Sequence, residues 1–535
     1  MKARILALLV LVLSLSVLVY ASGEINETEK FAEVIETTLS GDISNAEGVK
    51  LSFGAHAGER LAWKCTYDFG AKQGKTEFQT YEKEPYLLST WPKNEPAASI
   101  RNDVWFPGAL DVLNPRTPED ARKQKDILAK CDVQWAETAG ATAKAFTEGV
   151  QPGEYKHKSV YIKDIFKYYP IDYSFSSRGI GHYLHFEEIA AEYTYEELKM
   201  LRDVNEFFRI PVAEKERKFC KFTVNSGGQI TDFDVSDSNE SGTRYSEENF
   251  DLNMRYCNTE SAFYMLFDAH LVSYYGEDLK GKTVDTSKIK GGFGIYKLPC
   301  DLEKSKFDTG KLQTVYPLNP SNYYETIETS PDEKSLLVIA RDAQKVWAEV
   351  IRISDMKRVQ KIDLIDLTEG RDEVDMGIGF REISDNAYLI FNNEGQLAVM
   401  RFANGKYHKD MAASGLQTEL TSYDALDRED TLIEYDGKKL VIAGYVSLPG
   451  VPYDSVWDLP DEGMSCVAEL AVLEAGELAY CGRLTTNLMD YSDKESVEAF
   501  ITQKEDARTG RLRGFWKENL SSVAKRCDDM LEIII

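Results

Sequence analysis

The chain has 535 residues, 43% of them hydrophobic and 28% charged, which excludes a disordered polymer and leaves room for one large or two ordinary domains. Its net charge of −26 repels phosphate backbones and argues against nucleic acid as a partner. With 29 Tyr and 11% aromatics, the composition suits an all-β protein.

In chain order, Lys2 and Arg4 precede an apolar run over residues 5–19, and Val19-Tyr20-Ala21 resembles a small-residue cleavage site. Residues 1–21 therefore read as a signal peptide. The run is shorter than the ~20 residues of a spanning helix, so cleavage near Ser22 is expected, with an uncleaved anchor as the alternative. The expected product is an extracellular or cell-surface monomer with no stable membrane span. The eight cysteines at 65, 131, 220, 257, 300, 466, 481 and 527 are widely scattered. With a hairpin turn centred on Ala475-Gly476, Cys466 faces Thr485 and Cys481 faces Leu470, so that pair is not cross-strand, and most cysteines read as small buried apolar residues.

Residues 22–45 are polar and Glu-rich and read as a linker. From residue 46 to 517 the pattern is β, with helical insertions expected at about 117–148 and 185–209. The first insertion opens on Thr117-Pro118-Glu119-Asp120, with Thr as N-cap and Pro in the first turn. The second carries the capping box Thr194-Tyr-Glu-Glu197, followed by Leu198, Leu201, Val204 and Phe208 on one face.

The clearest repeating unit begins at Tyr323. Polar turns separate residues 323–329, 335–340, 346–353 and 359–364, which is a four-stranded meander. Second strands start 52 residues apart, at Leu336, Tyr388 and Leu440. Such a period, with four strands per unit, predicts an all-β propeller of six to eight blades. The turn Ser330-Pro331-Asp332-Glu333-Lys334 resembles the Ser-Pro-Asp-Gly-Lys turn of TolB-like propellers, looser relatives of Trp-Asp repeat proteins. Glu333 departs from the usual Gly, and the Gly-His and Trp-Asp signatures are absent. The resemblance covers the C-terminal half and implies a fold, not an activity. Residues 518–535 read as an amphipathic C-terminal helix, with Leu520, Val523, Cys527 and Met530 on one stripe.

Several motifs fail on context. Gly276-Glu-Asp-Leu-Lys-Gly281-Lys282-Thr283 matches the phosphate-loop pattern, yet the sequence after it is too short and Gly-terminated for the required helix. His182, His185 and Glu188 lack the zincin spacing. The acidic stretch from Asp232 to Glu240 lacks the Gly of a calcium loop. No Gly-x-Ser-x-Gly occurs. No catalytic residue, metal site or cofactor is assigned. The expected function is non-catalytic binding of a protein or glycan ligand. Tyr453 and Trp457, in a Pro-rich loop between second and third strands, are the candidate contacts. The rival is an extracellular propeller glycosidase or polysaccharide lyase using carboxylates at the central channel.

Overall fold

The computed structural model describes residues 13–16, 32–57, 61–80, 96–102, 151–153, 155–164, 166–177, 180–184, 195–227, 230–236, 248–272, 281–367, 377–384, 386–416, 418–428, 430–446, 467–486, 524–526 and 531–535. Two compact units emerge, one of residues 1–89 with 377–535 and one of residues 90–376.

The first unit opens with β1 (Val34–Gly41), β2 (Lys50–Ala57), β3 (Leu61–Asp68) and β4 (Gln73–Thr80). The second unit holds β5 (Ala97–Arg101), β6 (Tyr155–Tyr161), β7 (Asp172–Ser177), β8 (Ile180–Leu184), helix α1 (Tyr195–Phe207), β9 (Arg217–Val224), β10 (Ile230–Ser236) and β11 (Asn249–Phe250). It continues through β12 (Arg255–Thr259), β13 (Ala262–Leu266), β14 (Leu271–Val272), β15 (Gly294–Asp301), β16 (Lys306–Phe307), β17 (Gln313–Pro317), β18 (Tyr323–Thr329), β19 (Ser335–Arg341), β20 (Lys345–Arg352) and β21 (Lys357–Asp366). The chain then returns to the first unit with β22 (Ile378–Ser384), β23 (Ala387–Asn392), β24 (Leu397–Ala403), β25 (Lys406–Ala413), the short helix α2 (Tyr423–Asp427), β26 (Leu432–Tyr435), β27 (Lys439–Tyr445), β28 (Ala468–Glu474), β29 (Glu477–Thr486), β30 (Ala524–Arg526) and β31 (Glu532–Ile534).

The all-β class and the four-stranded antiparallel blade are what the sequence periodicity demands. The sheets β18-β19-β20-β21 and β22-β23-β24-β25 are four-stranded meanders in sequence order. Their central strands read as continuous apolar runs because both faces are covered: β19 and β23 are buried at nearly every residue. In the second unit, Phe263, Tyr296, Ile327 and Trp347 belong to one core, which α1 joins through Leu201 and Val204. That helix falls in the stretch expected to be helical from residue 185. The other expected insertion, 117–148, lies outside the described residues.

Three expectations need correction. The stretch 22–45 contains β1, which pairs with β29 as a fifth strand. Its exposed residues, with burial on neither face over most of its length, hide it from a pattern search. The tail is not helical where described. β30 and β31 both pair with β2, so the C-terminal segment supplies the strand that β2-β3-β4 lacks. The β-branched run Ile533-Ile534 outweighs the helical stripe there. Finally, Cys481 lies opposite Ala471 rather than the expected Leu470, because a register shift between Val472 and Leu473 displaces the ladder by one residue. Among the described residues Cys65, Cys257, Cys300 and Cys481 are free thiols, and the first, second and last are buried.

The turn before β19 shows why its sequence matters. Ser330 Oγ donates to Asp332 Oδ1 (2.7 Å), and the Ser335 N–H donates back to Ser330 Oγ (3.0 Å). Glu333 stands at φ +54°, the left-handed region where glycine is at ease, which is where the resemblance expects Gly.

Candidate functional site

In the first unit, β27 ends at Tyr445 and β28 begins at Ala468. Between them runs the segment that carries Tyr453 and Trp457, and both lie outside the described residues. Its base is closed by the Val446 N–H donating to the Val467 carbonyl at 3.2 Å. Two residues into the sheet, Gly444, Glu469, Arg483 and Thr37 stand side by side across β27, β28, β29 and β1. Gly444 leaves room in this row, since a Cβ there would come within 3.0 Å of Leu420.

Glu469 is 2% exposed, yet ionisable. Arg483 answers it: its Nε donates to Glu469 Oε1 at 2.9 Å and its Nη2 to the same oxygen. Burial raises the Glu469 carboxyl, the two Arg483 bonds and charge pull it back, and the Glu419 charge raises it further. Cys481, two residues before Arg483 on the same strand, has its thiol pushed up to about 12 by burial and then by the Glu469 charge. At neutral pH it is a protonated small apolar residue and not a nucleophile.

Beside this row lies a cleft of about 550 Å³. Leu39 and Ser40 of β1 form one wall, and residues 414–416 with Thr418 and Glu419 form another. The second wall is held in shape locally. Thr418 and Thr421 cap each other reciprocally, and Gly415 takes φ +70°. The volume is that of a small-ligand or side-chain pocket.

The second unit has a charged cluster of a different kind, where β12 and β18 lie side by side. Arg341 Nε donates to Glu325 Oε1 at 2.7 Å, and Arg255 reaches Glu325 Oε2 at 3.8 Å and Asp268 Oδ2 at 3.1 Å. Asp268 Oδ1 also accepts the Tyr324 N–H. Burial raises the Glu325 carboxyl against the pull of Arg341; Asp268 raises it further and Arg255 lowers it. The Tyr323 ring is stacked on His270 at 3.6 Å, and the Arg341 guanidinium lies 3.9 Å from its centroid. The cluster binds the ends of two neighbouring sheets to each other.

The sequence motifs do not converge on either place. His182 lies on strand β8 opposite Phe175, so the triad it would head is not on a helix; His185 and Glu188 lie outside the described residues. Asp232 and Asp234 lie in β10, which ends at Ser236, and residues 237–240 are outside the described residues. Thr283 of the phosphate-loop pattern bridges His270, and no helix follows among the described residues to residue 293. No group of three or more His, Cys, Asp or Glu among the described residues could hold a metal ion. Sequence reasoning missed Glu325, Arg341, Glu469 and Arg483. The available signal was a charge at the edge of an apolar run, as in Leu336-Leu-Val-Ile-Ala-Arg341 and Ala468-Glu-Leu-Ala-Val-Leu473.

No known family matches the sequence, and no curated protein does. Solved structures do share similarity. A candidate 6-phosphogluconolactonase from Bacteroides uniformis is 9% identical, covering 82% of this chain and 99% of its own, with a TM-score of 0.24. The WD40 domain of SCAP from fission yeast is 7% identical over 81% of this chain and 73% of its own, with a TM-score of 0.19. The Cps50 (Swd1) β-propeller domain of Myceliophteria thermophila is 8% identical over 49% of this chain and 81% of its own, with a TM-score of 0.20. Overlap at this level carries no argument about activity.

Proposed function

We propose that this is an exported, non-catalytic binding protein of the extracellular space or cell surface, with a protein or glycan ligand. The observation that carries the reading is one juxtaposition. The segment bearing Tyr453 and Trp457 springs from the end of β27 and β28 that carries the Glu469–Arg483 row, and the neighbouring cleft runs from that row to the β28–β29 turn at Gly476. Aromatic side chains offer amphipathic contact area at low entropic cost, and the partly exposed Arg483, held by Glu469, offers a fixed polar group in the cleft. A pooled glycan and peptide array should show binding without turnover. Tyr453→Ala with Trp457→Ala should weaken that binding at nearly unchanged melting temperature; unchanged binding refutes the assignment. Export rests on the N-terminal signal reading. N-terminal sequencing of secreted protein should find a chain starting near Ser22, whereas an intact Met1 in the membrane fraction supports the anchor.

One observation favours the carboxylate alternative. Glu434 lies on β26, exposed on the side away from the core that holds Ile433 and Tyr435, and partial desolvation alone raises its carboxyl. A raised carboxyl is what a general acid needs. Release of reducing sugar that is lost in Glu434→Gln would replace the binding reading with an enzyme.

A further inference from the structure

We propose that the cleft beside β1 takes an extended cationic peptide, laid along the outer edge of β1 with an apolar side chain in the cleft. This rests on the binding reading above and names its ligand class.

Three features point there. First, β1 is the terminal strand of its sheet, hydrogen-bonded to β29 on one side only. Residues 37–41 are all exposed. Alternate N–H and C=O groups of such an edge face outward and can pair with an added strand. Second, the edge is apolar where it meets the cleft. Leu39 is 49% exposed and sits at the register shift between Thr38 and Ser40, outside the ladder to β29. Leu416 and Leu478 line the same cleft. An exposed leucine facing two more gives one apolar side chain a place to bury.

Third, the charge has a sign. Glu469 is paired with Arg483, so together they add no net charge to the cleft. Glu419 and Glu477 line the cleft, are exposed, and have no ion-pair partner among the described residues. Glu419 lines the same cleft as the Glu469–Arg483 pair, and its charge helps raise the Glu469 carboxyl. Two uncompensated carboxylates flanking an apolar slot suit lysine or arginine on either side of an aliphatic residue. An acidic ligand would meet repulsion at the same two points.

The test uses the mature full-length chain and a fluorescein-labelled peptide alternating valine with lysine, with the valine–glutamate peptide as control. Fluorescence anisotropy should show the lysine peptide bound and the glutamate peptide unbound. Affinity should fall about tenfold in Glu419→Lys with Glu477→Lys, the size expected for reversing two close charges. Both residues are exposed, so the variant should melt with the wild type. Hydrogen exchange should slow at residues 37–41 and 414–416 when the peptide is bound. Equal binding of the two peptides, unchanged affinity in the variant, or protection elsewhere overturns the inference. In that event, array binding that depends on Tyr453 and Trp457 still upholds the broader reading. Peptide binding at the cleft with no array dependence on those aromatics does the reverse.

Discussion

The sheets β18–β21 and β26–β29 share a plan and use one chemical device in two ways. Each has four strands in sequence order and an apolar second strand. Each buries an arginine–glutamate pair. In the first, Arg341 and Glu325 are 5% and 11% exposed, and the pair is extended by Arg255, Asp268 and the stacked Tyr323. In the second, Glu469 is 2% exposed, but Arg483 is 17% exposed and borders a cleft. The difference is enclosure. A pair sealed within a network holds structure together. A pair with one partner at a cleft wall keeps that partner open to the cleft.

That contrast predicts unequal costs. Arg341→Met should be the most damaging single change, because it strands the Glu325 carboxylate with only the 3.8 Å contact to Arg255. A loss of about 3–5 kcal/mol in urea denaturation is expected for breaking a buried pair. Arg483→Met should cost less, about 2 kcal/mol, since solvent in the cleft can rehydrate part of the freed carboxylate. Equal costs in the two variants would erase the distinction between sealed and open pairs.

Much of this architecture was legible, and its limits have physical causes. The strands 335–341 and 439–445 are apolar on both faces, so they show without any partner in view. β1 does not, because an exposed edge strand has no hydrophobic pattern. The tail was misread because Leu520, Cys527 and Met530 mimic a helical stripe, while its real role depends on β2, about 480 residues earlier. The site was the least legible part. Pairs such as Glu325–Arg341 and Glu469–Arg483 are set by cross-strand register, and a single bulge near Val472 shifts that register. With 89 acidic residues, nothing in the sequence marks which two are buried.

pH sharpens the comparison further. Burial raises both Glu325 and Glu469 above the ordinary carboxylate range. A carboxyl raised in the fold holds its proton more tightly folded than unfolded. Its stabilising contribution is therefore full below the ordinary range and is lost as pH rises through the raised value. Glu469→Gln removes that slope. Its melting temperature should gain on wild type as pH climbs from about 4 to about 7, the span above an ordinary glutamate. Asp332 has the opposite sign. Burial opposes its ionisation, but bonds from Ser330 and Lys334 outweigh it and leave the carboxyl lowered. Removing it should cost stability above the ordinary range and little below. A Glu469→Gln curve parallel to wild type would show that the cleft already solvates this carboxylate.

The smallest expected effect comes from the turns that open the two sheets. In β26–β29 the turn is Asp436-Gly437-Lys438, with Gly437 at φ +95°. Asp436 Oδ1 accepts the N–H groups of Lys438 and Lys439, both at 2.7 Å. In β18–β21 the matching turn is Asp332-Glu333-Lys334, with Glu333 at φ +54°. Asp332 Oδ1 there accepts one backbone N–H, that of Lys334 at 3.3 Å, beside the Ser330 hydroxyl at 2.7 Å. The left-handed conformation costs a side-chain-bearing residue about 1–2 kcal/mol, while glycine adds about 0.5–1 kcal/mol of chain entropy to be lost on folding. Glu333→Gly should therefore stabilise by about 0.5–1 kcal/mol, visible as a raised urea midpoint at unchanged slope. Gly437→Ala, introducing the same strain into the other turn, should destabilise by a similar amount. Opposite signs at these two positions would establish that the sheets share one turn geometry and that Glu333 is the strained copy. A destabilising Glu333→Gly would mean that the Glu333 side chain makes a contact worth more than the strain it carries.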